Sequence, residues 1–321
     1  MLSNTQGRIV TAQTLLLQGG ELDLRHGEVS AQQVGIDALS LDNSGGMLSA
    51  TGTGQMSLQV RDHLANDAGT IATNGTQNIQ ASTLSNVAGV LSSAGSADTH
   101  IAVSGRFDNS RGTVASNGDN LHLDAAHLLN ASGNISHGGV GTLAITADQL
   151  GGGNGSISSA GARVLRADTV DHRGASLNAE SFTITADSFN NEGGTLLATG
   201  ADASTLLVQQ VLANDNGGTI ASNGDLTISA AHLGNAGGTV QHAGTGTLAV
   251  NTDTLNGQGG KLLSNGSLEL AGQSINLRNA TTAAQRVAIQ ASTLDNAGGT
   301  LTAAGSDVLD LDVRDRLDNS G

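Results

Sequence analysis

Nine histidines are the residues best able to do chemistry in this sequence, and they invite a metal reading. His127 with His137, and His232 with His242, show the same spacing twice. A zinc site needs three or four imidazole, thiolate or carboxylate donors converging on one point. These pairs would have to meet across one turn of chain, without Cys and without an Asp cluster nearby. No metal site is therefore expected, and the four read as exposed polar positions copied by duplication. Asn117-Gly-Asp119 and Asn223-Gly-Asp225 read as tight turns. Gly138-Gly-Val-Gly-Thr lacks the Asp that a calcium-binding β-roll repeat requires.

Nucleophilic and phosphate chemistry lack their motifs as well. There is no Gly-x-Ser-x-Gly elbow and no Gly-x-x-x-x-Gly-Lys-Ser/Thr loop, and Lys261 is the sole lysine. A polysaccharide hydrolase or lyase on a β-helix would need clustered carboxylates and aromatic platforms for sugar rings. Asp and Glu are instead scattered, and the aromatics are Phe107, Phe182 and Phe189. The expectation is a non-enzyme with no cofactor. Asn-x-Ser/Thr triplets at Asn74, Asn130, Asn134, Asn154, Asn265 and Asn279 are what chance gives in so polar a composition.

Composition limits the scaffold that could position any of these groups. The chain has 46 Gly and no Pro, Cys, Trp or Tyr in 321 residues, and 13% of it is charged. With almost no aromatics, the core must be thin and built from Leu, Ile, Val and Ala. Absence of Pro suits a fold that needs nearly every backbone N–H as a ladder donor. The net charge of −15 argues against nucleic acid and anionic lipid, both of which select Lys and Arg. No run of 18 apolar residues is present, so membrane insertion is not expected. Residues 1–20 do not read as a signal peptide, so any export signal is expected outside this stretch.

The dominant signal is an internal repeat. A unit of apolar-x-Asn-x-x-Gly-x-aliphatic is followed by small residues, a Gly turn and an alternating apolar stretch, as in Leu233-Gly-Asn-Ala-Gly-Gly-Thr-Val240. Its first apolar residue recurs at Leu2, Leu22, Leu41, Leu64, Leu84, Phe107, Leu128 and Leu150. It continues through Val170, Phe189, Leu212, Leu233, Leu255, Ile275, Leu294 and Leu317, giving fifteen complete units of 19–23 residues. Five units make a super-repeat of 105 residues, from Leu84 to Phe189 and again to Leu294. Near the amino terminus Leu41 to Leu84 is only two units long, so units are lost without damage to their neighbours. That behaviour belongs to stacked repeats, in which each unit touches little beyond the next.

Segments such as Leu226-Thr-Ile228 and Leu309-Asp-Leu311-Asp-Val313 alternate with the period of strands, and Gly punctuation leaves no window for a helix. The predicted fold is all-β: a right-handed parallel β-helix, or β-solenoid, of about fifteen coils, each with three short strands. At about 4.8 Å per coil it would make a rod roughly 70 Å long. Residues 1–321 are expected to form one continuous repeat region. Leu48, Leu91, Val114, Ile135, Ile157, Leu196, Val240 and Leu301 are predicted to form an internal aliphatic column. Asn43, Asn86, Asn109, Asn191, Asn235 and Asn296 fall two residues after the anchor, where stacked amides can ladder between coils. Leu24, Gly152, His172, Gly257 and Leu277 replace that Asn at orderly intervals, which suggests a different turn geometry there.

Leu41-Asp-Asn-Ser-Gly-Gly-Met-Leu48, Leu294-Asp-Asn-Ala-Gly-Gly-Thr-Leu301 and Ala221-Ser-Asn-Gly-Asp-Leu-Thr-Ile-Ser-Ala230 resemble the repeats of filamentous haemagglutinins. These are large exoproteins of bacterial two-partner secretion. Similar repeats form the stalk of contact-dependent growth inhibition effectors. The resemblance covers essentially the whole chain and implies a surface-displayed or secreted shaft exported through an outer-membrane transporter, the partner it would meet through other regions. It also implies adhesion to a host or neighbouring cell surface, or presentation of a distal effector. A binding face for glycans or host proteins along the shaft is a further reading. Leu2 to Ile9 already reads as a repeat and Leu317 to Gly321 stops within one, so the chain is expected to be a fragment of a longer shaft.

Overall fold

A computed structural model describes residues 1–306 and 309–321. The chain is all β and divides into two compact units, Met1–Val164 and Leu165–Gly321. Each unit is a parallel β-solenoid; after a first coil with the shorter strands Leu2–Ser3 and Arg8–Val10, a long strand of 9 or 10 residues alternates with a short one of 4. Among the described residues, fifteen short strands mark about fifteen turns.

In the first unit the long strands Gln77–Ser85, Thr99–Asp108, Leu121–Leu129 and Thr142–Gly151 pair in parallel, each with the next. The short strands Val90–Ser93, Thr113–Ser116 and Asn134–His137 form a second parallel ladder. The second unit repeats the scheme, for example in Ser204–Ala213, Leu226–Gly234 and Thr247–Asn256. The register follows the sequence repeat residue by residue. Leu64 pairs with Leu84, Leu84 with Phe107 and Phe107 with Leu128; in the second unit Leu212 pairs with Leu233 and Leu233 with Leu255.

The three separate strands expected per coil are two. The second corner is a bend within the long strand, visible as a change of phase: Leu143, Ile145 and Ala147 point inward, and the next inward residue is Leu150. Two successive outward residues re-aim the strand without breaking its ladder. Differences in length between neighbouring coils are absorbed partly at that bend, as between Val103 and Arg106, and partly in the turn before the long strand, which is shorter after Ser264 than after His242.

Every coil turns through a left-handed residue four positions after its anchor, including Ala88, Arg111 and Ser132 in the first unit and Gly237 in the second. Glycine dominates the next position for another reason. A Cβ on Gly89 would collide with the Asn66 carbonyl of the preceding coil, so this glycine permits close stacking rather than an unusual φ. At Leu24, His172 and Leu277 the left-handed residue is still in place, at His26, Gly174 and Asn279. The turn there is the common one, contrary to expectation, and only the inward side chain differs.

Candidate functional site

The inward face of each unit is a set of files running from coil to coil. In the first unit Leu48, Ile71, Leu91, Val114, Ile135 and Ile157 occupy one register position and are each at most 2% exposed. In the second, Leu196, Ile220, Val240 and Leu262 do the same, joined by the fully buried Thr282. Leu301 continues the register beside Thr282 but is half-buried. Each buried aliphatic contributes about 1.5–3 kcal/mol, realised only when the adjoining coil covers it.

Beside this file lies a chain of amides. Asn43 Nδ2 donates to Asn66 Oδ1 at 2.8 Å, Asn66 to Asn86 at 2.7 Å, Asn86 to Asn109 at 2.7 Å and Asn109 to Asn130 at 2.7 Å. In the second unit Asn191 donates to Asn214 at 2.7 Å and Asn214 to Asn235 at 2.8 Å, while Asn296 donates to Asn319 at 2.6 Å. Asn86 Nδ2 also reaches the carbonyls of Gly89 at 3.3 Å and Thr113 at 3.2 Å, tying the turn to two coils at once. The Oδ1 atoms of Asn43 and Asn296 are buried with no donor. Each follows a coil in which Leu24 or Leu277 stands at the amide position. Leucine contributes apolar contact there and strands the next acceptor. Asn130, one of the Asn-x-Ser/Thr residues, is fully buried in this chain of amides.

The histidines separate into two environments. His127 and His232 are exposed on the long sheet, with His232 Nδ1 2.7 Å from Thr254 Oγ1. His137 and His242, expected to be exposed, are 3% and 1% exposed and point inward at the end of the short strand. The reason is period two: Ile135 and Val240 point into the core, so the residue two places on does too. His137 Nε2 lies 3.0 Å from the carbonyl oxygens of both Gly118 and Asp119, so it carries the proton, and Nδ1 accepts from Ser159 Oγ at 2.9 Å. His242 Nδ1 meets Ser264 Oγ at 2.9 Å, and burial lowers its pKa, an effect that the Asp225 charge partly opposes.

Two further features escaped the sequence reading. Arg163 is 1% exposed, its guanidinium nitrogens have no hydrogen-bond partner, and burial pushes its pKa down to about 9. One super-repeat later the same position is Leu268, fully buried, and that offset is the signal that would have flagged it. The second is Asp98, His100 and His122 in the first unit, whose possible ligand atoms all lie within 4.8 Å of one another. The imidazoles of His100 and His122 stack with centroids 4.6 Å apart and planes 3° from parallel. His100 lies 16 residues after Leu84 and His122 lies 15 after Phe107, so counting from the anchors misses the pair by one place. The ladder joins them because the turn before the long strand is one residue shorter in the second coil. On the same unit a shallow groove of about 680 Å³ runs along the bend of the long strands, passing Arg61, Ser82, Ser104, Asp124 and Asp148. A groove of about 510 Å³ in the second unit includes Gln209, Asp253 and Gln273.

The haemagglutinin repeat model matches residues 1–60, 57–111, 108–162, 140–208, 205–272 and 243–321, the whole chain in overlapping copies. The chain belongs to the haemagglutinin-repeat family. It is a filamentous haemagglutinin-type repeat region, built as a structural β-solenoid. Haemagglutinin repeats are typical of secreted and cell-surface exoproteins. No curated protein and no solved structure matches the chain.

Proposed function

We propose that this haemagglutinin-repeat region is a passive shaft of a secreted, surface-displayed adhesin, holding a distal adhesive element away from the cell. The observation that carries the reading is the in-register continuity within each unit. Anchor, aliphatic file and amide ladder pass from one coil to the next at the same positions. An architecture of this kind gains length by adding coils and needs no chemistry on its surface. Export through an outer-membrane two-partner transporter is part of the proposal and rests on the family. A growth-inhibition stalk would use the same shaft with a toxic rather than an adhesive tip.

The test is excision of one super-repeat, joining Thr83 to Phe189. The shortened chain should fold, and its maximum dimension in solution scattering should fall by about 24 Å, five coils at about 4.8 Å each. Loss of folding, or an unchanged maximum dimension, would refute the shaft. A second reading, that one face binds glycans or host proteins, is favoured by the groove along the bend, since Val103 and Asp148 recur in the second groove as Val208 and Asp253. Saturable glycan-array binding, lost on Asp148→Asn and Asp253→Asn together, would support it.

A further inference from the structure

We propose that Asp98, His100 and His122 form a binding site for one divalent transition-metal ion of the Zn²⁺, Cu²⁺ or Ni²⁺ class. The site is a product of stacking. His100 is the second residue of strand Thr99–Asp108, His122 the second of Leu121–Leu129, and the two are paired in register. Both alternate with inward residues, Thr99 and Ile101 for one and Leu121 and Leu123 for the other, so both imidazoles project from the outer face. Asp98 precedes the first strand and brings a carboxylate to the same spot.

The donor set decides the class of ion. Two imidazole nitrogens and one carboxylate oxygen suit borderline transition metals. Calcium takes six to eight oxygens, and magnesium keeps its water shell. A second shell is present too. Asp98 Oδ1 accepts from Asn120 N at 3.2 Å and from Asn120 Nδ2 at 2.9 Å, which orients the carboxylate and leaves Oδ2 for the ion. Asn120 Oδ1 in turn accepts from Thr142 N at 2.8 Å, so the second shell is anchored to a third coil.

Bonds of about 2.0–2.1 Å in a tetrahedral site place ligand atoms about 3.3 Å apart. The donors, now within 4.8 Å of one another, must close by roughly 1.5 Å or less. His100 is exposed and His122 half-buried, so both rings can tilt toward the ion without moving the ladder. Three protein ligands leave one position open for water or a donor from another molecule.

The second super-repeat supplies an internal control. The positions equivalent to Asp98, His100 and His122 are Ala203, Thr205 and Thr227, while the core residues beside them, Leu206 and Ile228, remain fully buried. The coil therefore folds without the three donors, and the variant Asp98→Ala/His100→Thr/His122→Thr copies a sequence already accommodated there.

The experiment is titration of the untagged chain with ZnCl₂ by calorimetry, together with electron paramagnetic resonance of the Cu²⁺-loaded protein. One ion per chain should bind, with two imidazole nitrogens in the copper spectrum. The triple variant should lose more than about 10-fold in affinity and keep its metal-free melting temperature. His127→Thr, which removes an exposed histidine elsewhere on the same strand, should bind as the parent does. If the triple variant unfolds, His122→Gln alone must still weaken binding and remove one nitrogen from the spectrum. Equal affinity in parent and triple variant, or a copper spectrum carrying a single imidazole in the parent, would overturn the site.

Discussion

Replacing Asn109 by Ala removes one rung of the amide chain in the first unit, and the cost follows from what each neighbour loses. Asn109 Nδ2 donates to Asn130 Oδ1 at 2.7 Å and to the carbonyls of Gly112 and Asn134, both at 3.3 Å. Its Oδ1 accepts from Asn86 Nδ2 at 2.7 Å. After truncation Asn86 keeps its two carbonyl partners, and the Gly112 carbonyl still accepts from Asn134 N at 2.8 Å. Asn130 Oδ1 becomes a buried acceptor without a donor, which costs about 1–3 kcal/mol. The vacated amide volume adds about 1 kcal/mol in cavity and lost contact, giving a total of about 2–4 kcal/mol. Because neighbouring coils share the loss, it should appear in two measurements. Denaturant unfolding should report the lost stability, and hydrogen exchange should show faster opening at the Ser132 and Gly133 amides. A cycle with Asn130→Ala sharpens the test. The second truncation removes the stranded acceptor, so the double variant should be more stable than the sum of the singles by about 1 kcal/mol. Strict additivity, or an Asn109→Ala stability equal to that of the exposed-site variant Asp124→Asn, would show that the amides are not coupled as described.

Arg163→Leu should stabilise the protein by about 1–4 kcal/mol, because a buried guanidinium with no hydrogen bond gives way to the residue found at Leu268; calorimetry checks this, and a lower melting temperature would refute it. Stability should also fall on acidification below the usual histidine range. His242 has a folded-state pKa below its unfolded one, so the unfolded chain takes up the proton first and the contribution of neutral His242 is lost as pH falls. His242→Gln should flatten the melting temperature between about pH 7 and pH 5, and an unchanged slope would assign that dependence to other groups.

The sequence by itself determined the repeat, the register of its anchors and the aliphatic file that faces inward. Period-two alternation and the Asn-x-x-Gly spacing are local properties, and stacking units of similar length aligns their anchors. Thus Leu84, Phe107 and Leu128, anchors of the repeat, are partners across successive coils. Only the tertiary structure decided what lies next to what across coils. The inward direction of His137 and His242 depends on where the short strand ends. The paired imidazoles of His100 and His122, 22 residues apart, exist because adjacent coils bring register mates to the spacing of a parallel ladder. The bend that merges two expected strands into one depends on backbone phase, which alternation of residue types signals weakly because Ala and Thr are tolerated on either face. Local patterning specifies a coil, and the stacking of coils creates the contacts from which any site on this protein is built.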